Sequence, residues 1–493
     1  MIKILRNPET LQNEDFDIII VGGGIYGAML LLQAVQQDQR VLLVEKGDFG
    51  WQTSFNSLRI IHGGLRYLQT LDILRYRESV AERQWFLSNF PDLVKPMPCL
   101  MPLYNKGAKR LSILKVALML NDLLSTTRNE GVYASHSIED GRILNALETR
   151  EKFPGVNESG LDGAALWYDA HAPDTHRVIM ETLKWACSMG GHSLNYVEVI
   201  DVLKSSNTIT GVRVKDLENG KTYEYKSRVV INATGPSSSS FASKFDRDLP
   251  ELFRPSKAWN VLFEKPAPSE YALALTPDHK HAQTYFIHPW KGRLFAGTGH
   301  SPSNSLSDGG AFPGDELLES FVRDLNLVMP ESNLTMDSIE HVFCGLLPVS
   351  EAGSTKLAKR AVIYDHASKG GLKGLYSISG IKFTTSRKEA ERTIKHILKK
   401  KTLKNSIRPM TEEILRISSV HYEWMPLEGD KNWKIELKKL IEYESVLHLD
   451  DLIYRRTSIG DNFVKVGILA KEIASLFDWD EHRTEIELDK LHH

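Results

Sequence analysis

The sequence alternates short, fully apolar runs of β-branched residues with longer stretches in which polar and apolar positions mix. Asp17-Ile18-Ile19-Ile20-Val21 is one such run, the pattern of a strand buried on both faces of a parallel sheet. It passes directly into Gly22-Gly23-Gly24-Ile25-Tyr26-Gly27, after which residues 25–37 read as a helix and 40–44 as a second strand. Val229 to Ala233 repeats the buried-strand pattern. A further strand starts near Leu375 and ends at Gly380 to Thr385, where a polar helix opens and runs from Ser386 to about Lys400. Trp259 to Phe263, Thr284 to His288 and Arg293 to Gly297 read as strands of a mixed sheet, and Ser237 to Ser240 as a polar breaker. From about Thr411 the pattern turns amphipathic and charged, as in Trp433 to Tyr443 and Phe463 to Phe477, which predicts a small helical domain.

This order predicts an α/β fold: a Rossmann-like nucleotide-binding domain, an interleaved mixed-sheet substrate domain and a small C-terminal helical domain. Residues 15–88, 162–242 and 364–400 are expected in the first, 91–160 and 254–353 in the second, and 411–493 in the third.

Gly22, Gly24 and Gly27 fit the spacing G-x-G-x-x-G between a strand and a helix. The first allows the tight turn, the second lets backbone approach a diphosphate, and the third lets the helix pack close to the strand. The helix start at Ile25 then offers amide groups and a partial positive charge to the phosphates. Glu45, with Lys46 beside it, ends the second strand, where a carboxylate accepts hydrogen bonds from ribose hydroxyls and repels a 2′-phosphate. A dinucleotide is therefore expected, and the motif alone does not choose between NAD and FAD.

With 61 Lys+Arg against 63 Asp+Glu, the chain has no basic excess with which to neutralise nucleic acid. Its 42% hydrophobic and 25% charged residues place it among ordinary globular proteins rather than disordered or fibrous ones. Cys99, Cys187 and Cys344 are odd in number and far apart, which argues against a disulfide framework or a zinc knuckle and for a reducing, cytoplasmic setting. Met1 to Asp17 lacks the apolar core of a secretory signal, and no apolar run is long enough to span a bilayer.

The segment Gly50-Trp51-Gln52-Thr53-Ser54-Phe55-Asn56-Ser57, followed by Arg59-Ile60-Ile61-His62-Gly63-Gly64-Leu65-Arg66-Tyr67-Leu68, resembles the signature of FAD-dependent glycerol-3-phosphate dehydrogenases within the D-amino-acid-oxidase-like flavoproteins. Asn232-Ala233-Thr234-Gly235-Pro236, Gly297-Thr298-Gly299, Gly380-Ile381-Lys382-Phe383-Thr384-Thr385 and Asp451 to Thr457 follow in the same order. The resemblance implies FAD as cofactor. Thr53, Ser54 and Ser57 supply hydroxyl donors, with His62, Gly63, Gly64, Thr234 and Gly235 expected around the nucleotide. It also places Gly380, Lys382, Phe383 and Thr384 where a helix N-terminus meets the flavin ring and stabilises charge on its reduced form.

Hydride transfer from an alcohol needs a base for the O–H proton and cations for an anionic substrate. The resemblance puts Arg66, Tyr67, Arg360 and Lys382 at substrate-facing positions. Three departures stand against it. Asn260 occupies the position of the family's histidine base, Leu347 in Gly345-Leu346-Leu347-Pro348 that of an anion-binding arginine, and His300 that of an aspartate. His300 and His62 are then the candidate bases, each with a structural alternative, and Lys382, the third candidate catalytic residue, is expected near the flavin or the reacting oxygen.

Asp169, His171, Asp174 and His176 invite a metal reading, but Asp174 reads better as the N-cap of the helix from Thr175 to Met189, with Arg177 at the same entry, and no metal is expected. Leu111 to Leu124, flanked by Lys106, Lys109, Arg110 and Lys115, is either an interfacial membrane helix or a helix packed on the substrate domain. The expected activity is oxidation of a small polar alcohol, phosphorylated or not, with quinone or oxygen as electron acceptor. Oxidation of an amine or amino acid, and flavin binding with impaired catalysis, remain open.

Overall fold

In a computed structural model, the described residues are 2–104, 110–280, 282–303, 311–399, 433–461 and 463–491. Lys106 and Lys109, and residues 411–432 of the expected C-terminal domain, lie outside them.

A six-stranded sheet runs in the order Val362–Asp365, Leu375–Ser379, Val230–Asn232, Ile18–Val21, Val41–Val44, His192–Leu194. Every pairing is parallel except the outermost hairpin of Val362–Asp365 with Leu375–Ser379. All four residues of Ile18–Val21 are buried, as a strand covered on both faces must be. Alternation then divides them. Ile18, Ile20, Val41 and Leu43 join the core with the helices Ile25–Val35, Thr175–Ser188 and Ser386–Ile397. Ile19, Val21, Leu42 and Val44 pack instead with Val199, Val212, Val214 and Tyr225 from a four-stranded sheet on the other face.

The second large layer is a nine-stranded sheet in which Pro255–Phe263 lies between Ile339–Pro348 and Arg293–Pro302. The strand Gly163–His171, expected in the nucleotide-binding domain, belongs here: it pairs antiparallel with Lys95–Leu103 from Lys95↔His171 to Leu103↔Gly163. Ile60–Ile61 pairs with its far end, so this strand carries the chain from one layer to the other just before the helix Thr175–Ser188. The breaker expected at 237–240 is the start of a helix, Ser238–Phe245. Burial of Phe241 and Ala242, and a bond from Asn232 Nδ2 to the Ser238 carbonyl, outweigh the local polar character.

The C-terminal helical part comprises Trp433–Tyr443, one π turn at Asp451–Arg456, Phe463–Ala474 and Glu481–Lys490, around Trp433, Leu437, Leu452, Ile453 and Ile473. No helix among the described residues is long and apolar enough to cross a membrane.

Candidate active site

The glycine turn after Ile18–Val21 is shaped by close approach. Gly22 has φ +112°, and a Cβ there would meet the Ala233 carbonyl oxygen at 2.6 Å. A Cβ on Gly27 would sit 1.9 Å from the Gly22 oxygen, so any side chain would push the helix off the strand. Gly24 caps the helix without a side chain, and the Ile25 amide donates to Ser54 Oγ at 3.1 Å. Glu45 accepts from the Gly23 amide (2.6 Å), the Gly47 amide (2.8 Å) and Trp51 Nε1 (3.3 Å). Burial pushes its carboxyl up against those bonds.

These residues open on a cavity of about 290 Å³ whose wall also carries Thr53, Ser54, Ser57, His62, Thr234, Gly235, Gly380, Phe383 and Thr384. Asn260, Leu347 and Lys382 line the same space. Ser57 Oγ and His62 Nε2 are buried there without a hydrogen-bond partner among the described residues. A glycine cradle that side chains would fill, a helix start, hydroxyl donors and unpartnered polar atoms fit a dinucleotide.

A smaller adjoining cavity is lined by Tyr26, Tyr67, Arg75, Arg360 and Lys382. The Tyr67 ring gathers cations, with Lys382 Nζ 4.5 Å, Arg75 4.6 Å and Arg66 5.4 Å from its centroid. Burial, reinforced by Arg66, pushes the Lys382 ammonium down to about 7. His62 stands edge-on to Tyr67 at 6.0 Å, and burial together with Lys382 holds its ring well below the usual histidine range.

Other expected residues stand off the main cavity. Lys46, Arg66 and Arg360 are exposed. Gly63 donates its amide to Asp169 and has the Arg83 guanidinium where a Cβ would be, while Gly64, at φ +82°, begins the turn Leu65–Thr70, so both shape the loop behind His62. His300 pairs with Ala258 in the nine-stranded sheet, and burial and Arg66 lower it to about 4. A bulge between Trp259 and Asn260 leaves Thr298 unmatched, and Thr298, not His300, reaches the cavity wall. Asn260 is held on both sides: its Oδ1 accepts from Thr298 Oγ1 (3.0 Å) and its Nδ2 donates to the Asn56 carbonyl (2.9 Å).

Asp174 stands at the N-cap of the helix Thr175–Ser188, its carbonyl accepting from the Arg177 amide at 3.1 Å, but among the described residues its side chain makes no capping bond. It accepts from Lys291 Nζ at 3.1 Å, and burial pushes its carboxyl up to about 6. Asp169 serves Gly63 and Trp167, and His171 packs against His288 at 4.8 Å.

Residues the sequence reading passed over also form the wall: Tyr26, Trp51, Gln52, Asn56 and Phe253. Tyr26 lies inside the glycine motif, and Trp51, Gln52 and Asn56 inside the quoted loop, so their position pointed to them although no side-chain chemistry did. Phe253 had no local signal.

The family model of FAD-dependent oxidoreductases (DAO) matches residues 17–386, and the chain belongs to that family. It is an FAD-dependent oxidoreductase, and the cradle described above is the part of the fold that suits FAD.

Within the family the chain is similar to "Glycerol-3-phosphate dehydrogenase" of Synechocystis sp., 29% identical over 79% of this chain and 71% of that protein. It is also similar to the human "Glycerol-3-phosphate dehydrogenase, mitochondrial", 29% identical over 80% of this chain. The match spans just over half of the human protein, 54% of its length. The X-ray structure of the glycerol-3-phosphate dehydrogenase from Bacillus halodurans complexed with FAD superposes with a TM-score of 0.71. It is 20% identical and covers 98% of this chain and 95% of that one.

Proposed function

We propose that the protein oxidises a small polar alcohol bearing an anionic group, of the glycerol-3-phosphate type, by hydride transfer to FAD. The observation that carries this reading is Lys382, an amine lowered to about 7 on the wall shared by both cavities and beside the Arg66–Arg75–Tyr67 cluster. Bound FAD supplies the two-electron acceptor. Lys382 Nζ, half neutral near pH 7 and fully so well above it, takes the O–H proton, while Arg66 and Arg360 draw the substrate anion towards the wall shared by the two cavities. Asn260, committed to Thr298 and Asn56, holds the wall and accepts no proton. Anaerobic titration with glycerol-3-phosphate, then with an alcohol panel, tests this: rapid bleaching of the flavin band supports it.

The second reading, oxidation of a secondary amine or amino acid, is favoured by Asn260 and Leu347, which present no titrating base and no guanidinium at the cavity. Bleaching by amines but not alcohols selects it. Bleaching by neither selects a flavin-binding protein with impaired catalysis.

For the electron acceptor, the helix Leu111–Leu124 favours quinone over oxygen. Val116, Met119 and Leu123 are 57%, 64% and 69% exposed along one stripe, with Arg110 and Lys115 also exposed. This suits peripheral docking on the cytoplasmic face of an anionic bilayer. Co-sedimentation with vesicles containing phosphatidylglycerol, lost in M119E/L123E, is the expected result.

A further inference from the structure

The turn that carries Glu45 is gripped from the far end of the chain. Asp48, three residues after Glu45, is buried and receives both arms of the Arg456 guanidinium, at 2.8 Å to each carboxylate oxygen. Arg455 Nε reaches the same carboxylate at 2.7 Å and Asn195 Nδ2 at 3.0 Å. The grip is anchored behind. Arg456 donates to the Glu444 carbonyl, Arg455 to Asp450 and Asp451 at 2.6 Å each, and Tyr196 Oη to Asp451 at 2.6 Å. Glu444 in turn accepts from Arg177 and Lys184 of the helix Thr175–Ser188.

The gripped turn touches the cavity on both sides of Asp48. Before it, the Gly47 amide orients Glu45, and the Gly47 carbonyl is fixed by the Tyr196 amide at 3.0 Å. After it, the Gly50 amide bonds the Gly23 carbonyl at 3.0 Å, and Gly50 to Ser54 form part of the wall. Besides these backbone bonds, the bidentate pair and its backing set the height of the turn over the cavity, because a planar guanidinium fixes both distance and orientation of the carboxylate it holds.

We propose that Arg455 and Arg456, held by the C-terminal helical part, are positioning residues for cofactor binding: they seat the Glu45–Ser54 turn through Asp48, so that this part of the chain sets how tightly FAD is retained. The proposal rests on the reading that Glu45 holds the adenosine end.

The test is FAD affinity of the full-length apoprotein, followed by flavin fluorescence, with far-UV circular dichroism on each variant. R456Q and D48N are expected to raise Kd at least tenfold, and the double variant no further than the worse single one, since both break one device. R456K, which keeps the cation in the core but loses the fork, is expected to raise Kd about threefold to tenfold and decides the matter if R456Q does not fold. D461N weakens the C-terminal part's bond to Lys291, in the turn between two strands of the nine-stranded sheet, without touching Asp48 or its backing, and is expected to stay within twofold. Parent-like Kd in R456K and D48N, or an equal loss in D461N, overturns the proposal. E45Q is measured alongside. Unchanged affinity there removes the adenosine reading, whereas weakened E45Q with unchanged Arg456 variants removes the grip alone.

Discussion

Tyr26 Oη donates to the Lys382 carbonyl at 3.0 Å and accepts from the Ile381 amide at 3.1 Å, so one phenol from the first helix pins the loop that carries the candidate proton acceptor. Burial, opposed by these bonds, raises the phenol to about 12, so it is neutral across the working range. Y26F leaves a buried carbonyl and amide unpartnered. The expected cost is about 1–3 kcal/mol of stability, with kcat down several-fold while KM changes less. Thermal denaturation and steady-state kinetics read both.

With Lys382 as the proposed proton acceptor, a pH dependence is expected. With its ammonium lowered to about 7, the amine is protonated and unable to accept a proton on the acid side, and free to do so on the alkaline side. The rate of flavin bleaching is therefore expected to rise as pH passes through about 7 and then level. K382M is expected to lose about 10²–10⁴ in that rate and to show no such rise, read by stopped-flow absorbance over the same range.

His448 bridges Glu218 (3.0 Å) and Glu487 (2.9 Å). Burial opposes its charge, but the two carboxylates prevail and raise it to about 9. A folded-state value above the ordinary 6.5 means its contribution is fully present below about pH 6.5 and is lost as pH rises through 9. That contribution is of order 3 kcal/mol by linkage. Denaturant titrations of parent and H448Q should diverge most at pH 6 and converge above pH 9.5.

Leu347 faces the cavity where a guanidinium would bring an anion-binding fork. L347R is expected to raise kcat/KM for a phosphorylated alcohol about tenfold over its unphosphorylated counterpart, the worth of one charge-assisted hydrogen-bond pair. Equal gains for both, or losses for both, count against an anionic substrate at this wall.

The parallel core was legible because its signals are local. Ile18–Val21 is apolar at every position, and Gly22 and Gly27 stand where backbone contacts allow no Cβ. The strand Gly163–His171 was assigned to the wrong layer because a doubly covered strand reads the same in either sheet, and only its pairing with Lys95–Leu103 separates them. His300 is a candidate only as the counterpart of a family aspartate, a resemblance blind to the bulge opposite Trp259–Asn260, which leaves Thr298 on the cavity wall and His300 off it. Asp174 does stand at the N-cap, as its place before the helix indicates, but its side chain turns to Lys291, from a strand connection far along the chain, rather than to the helix amides. The Asp48 grip joins residues 408 positions apart, a distance at which no pattern window can see.

The strands of the six-stranded sheet are drawn from Ile18–Val21 through Leu375–Ser379, and the loop carrying Lys382 follows the last of them. During synthesis, then, the glycine turn emerges early but its opposite wall only after about residue 384 has left the ribosome. The Ile18–Val21 strand gains its first neighbour, Val41–Val44, almost at once, but a chain cut short before about residue 384 lacks one side of the coenzyme's seat.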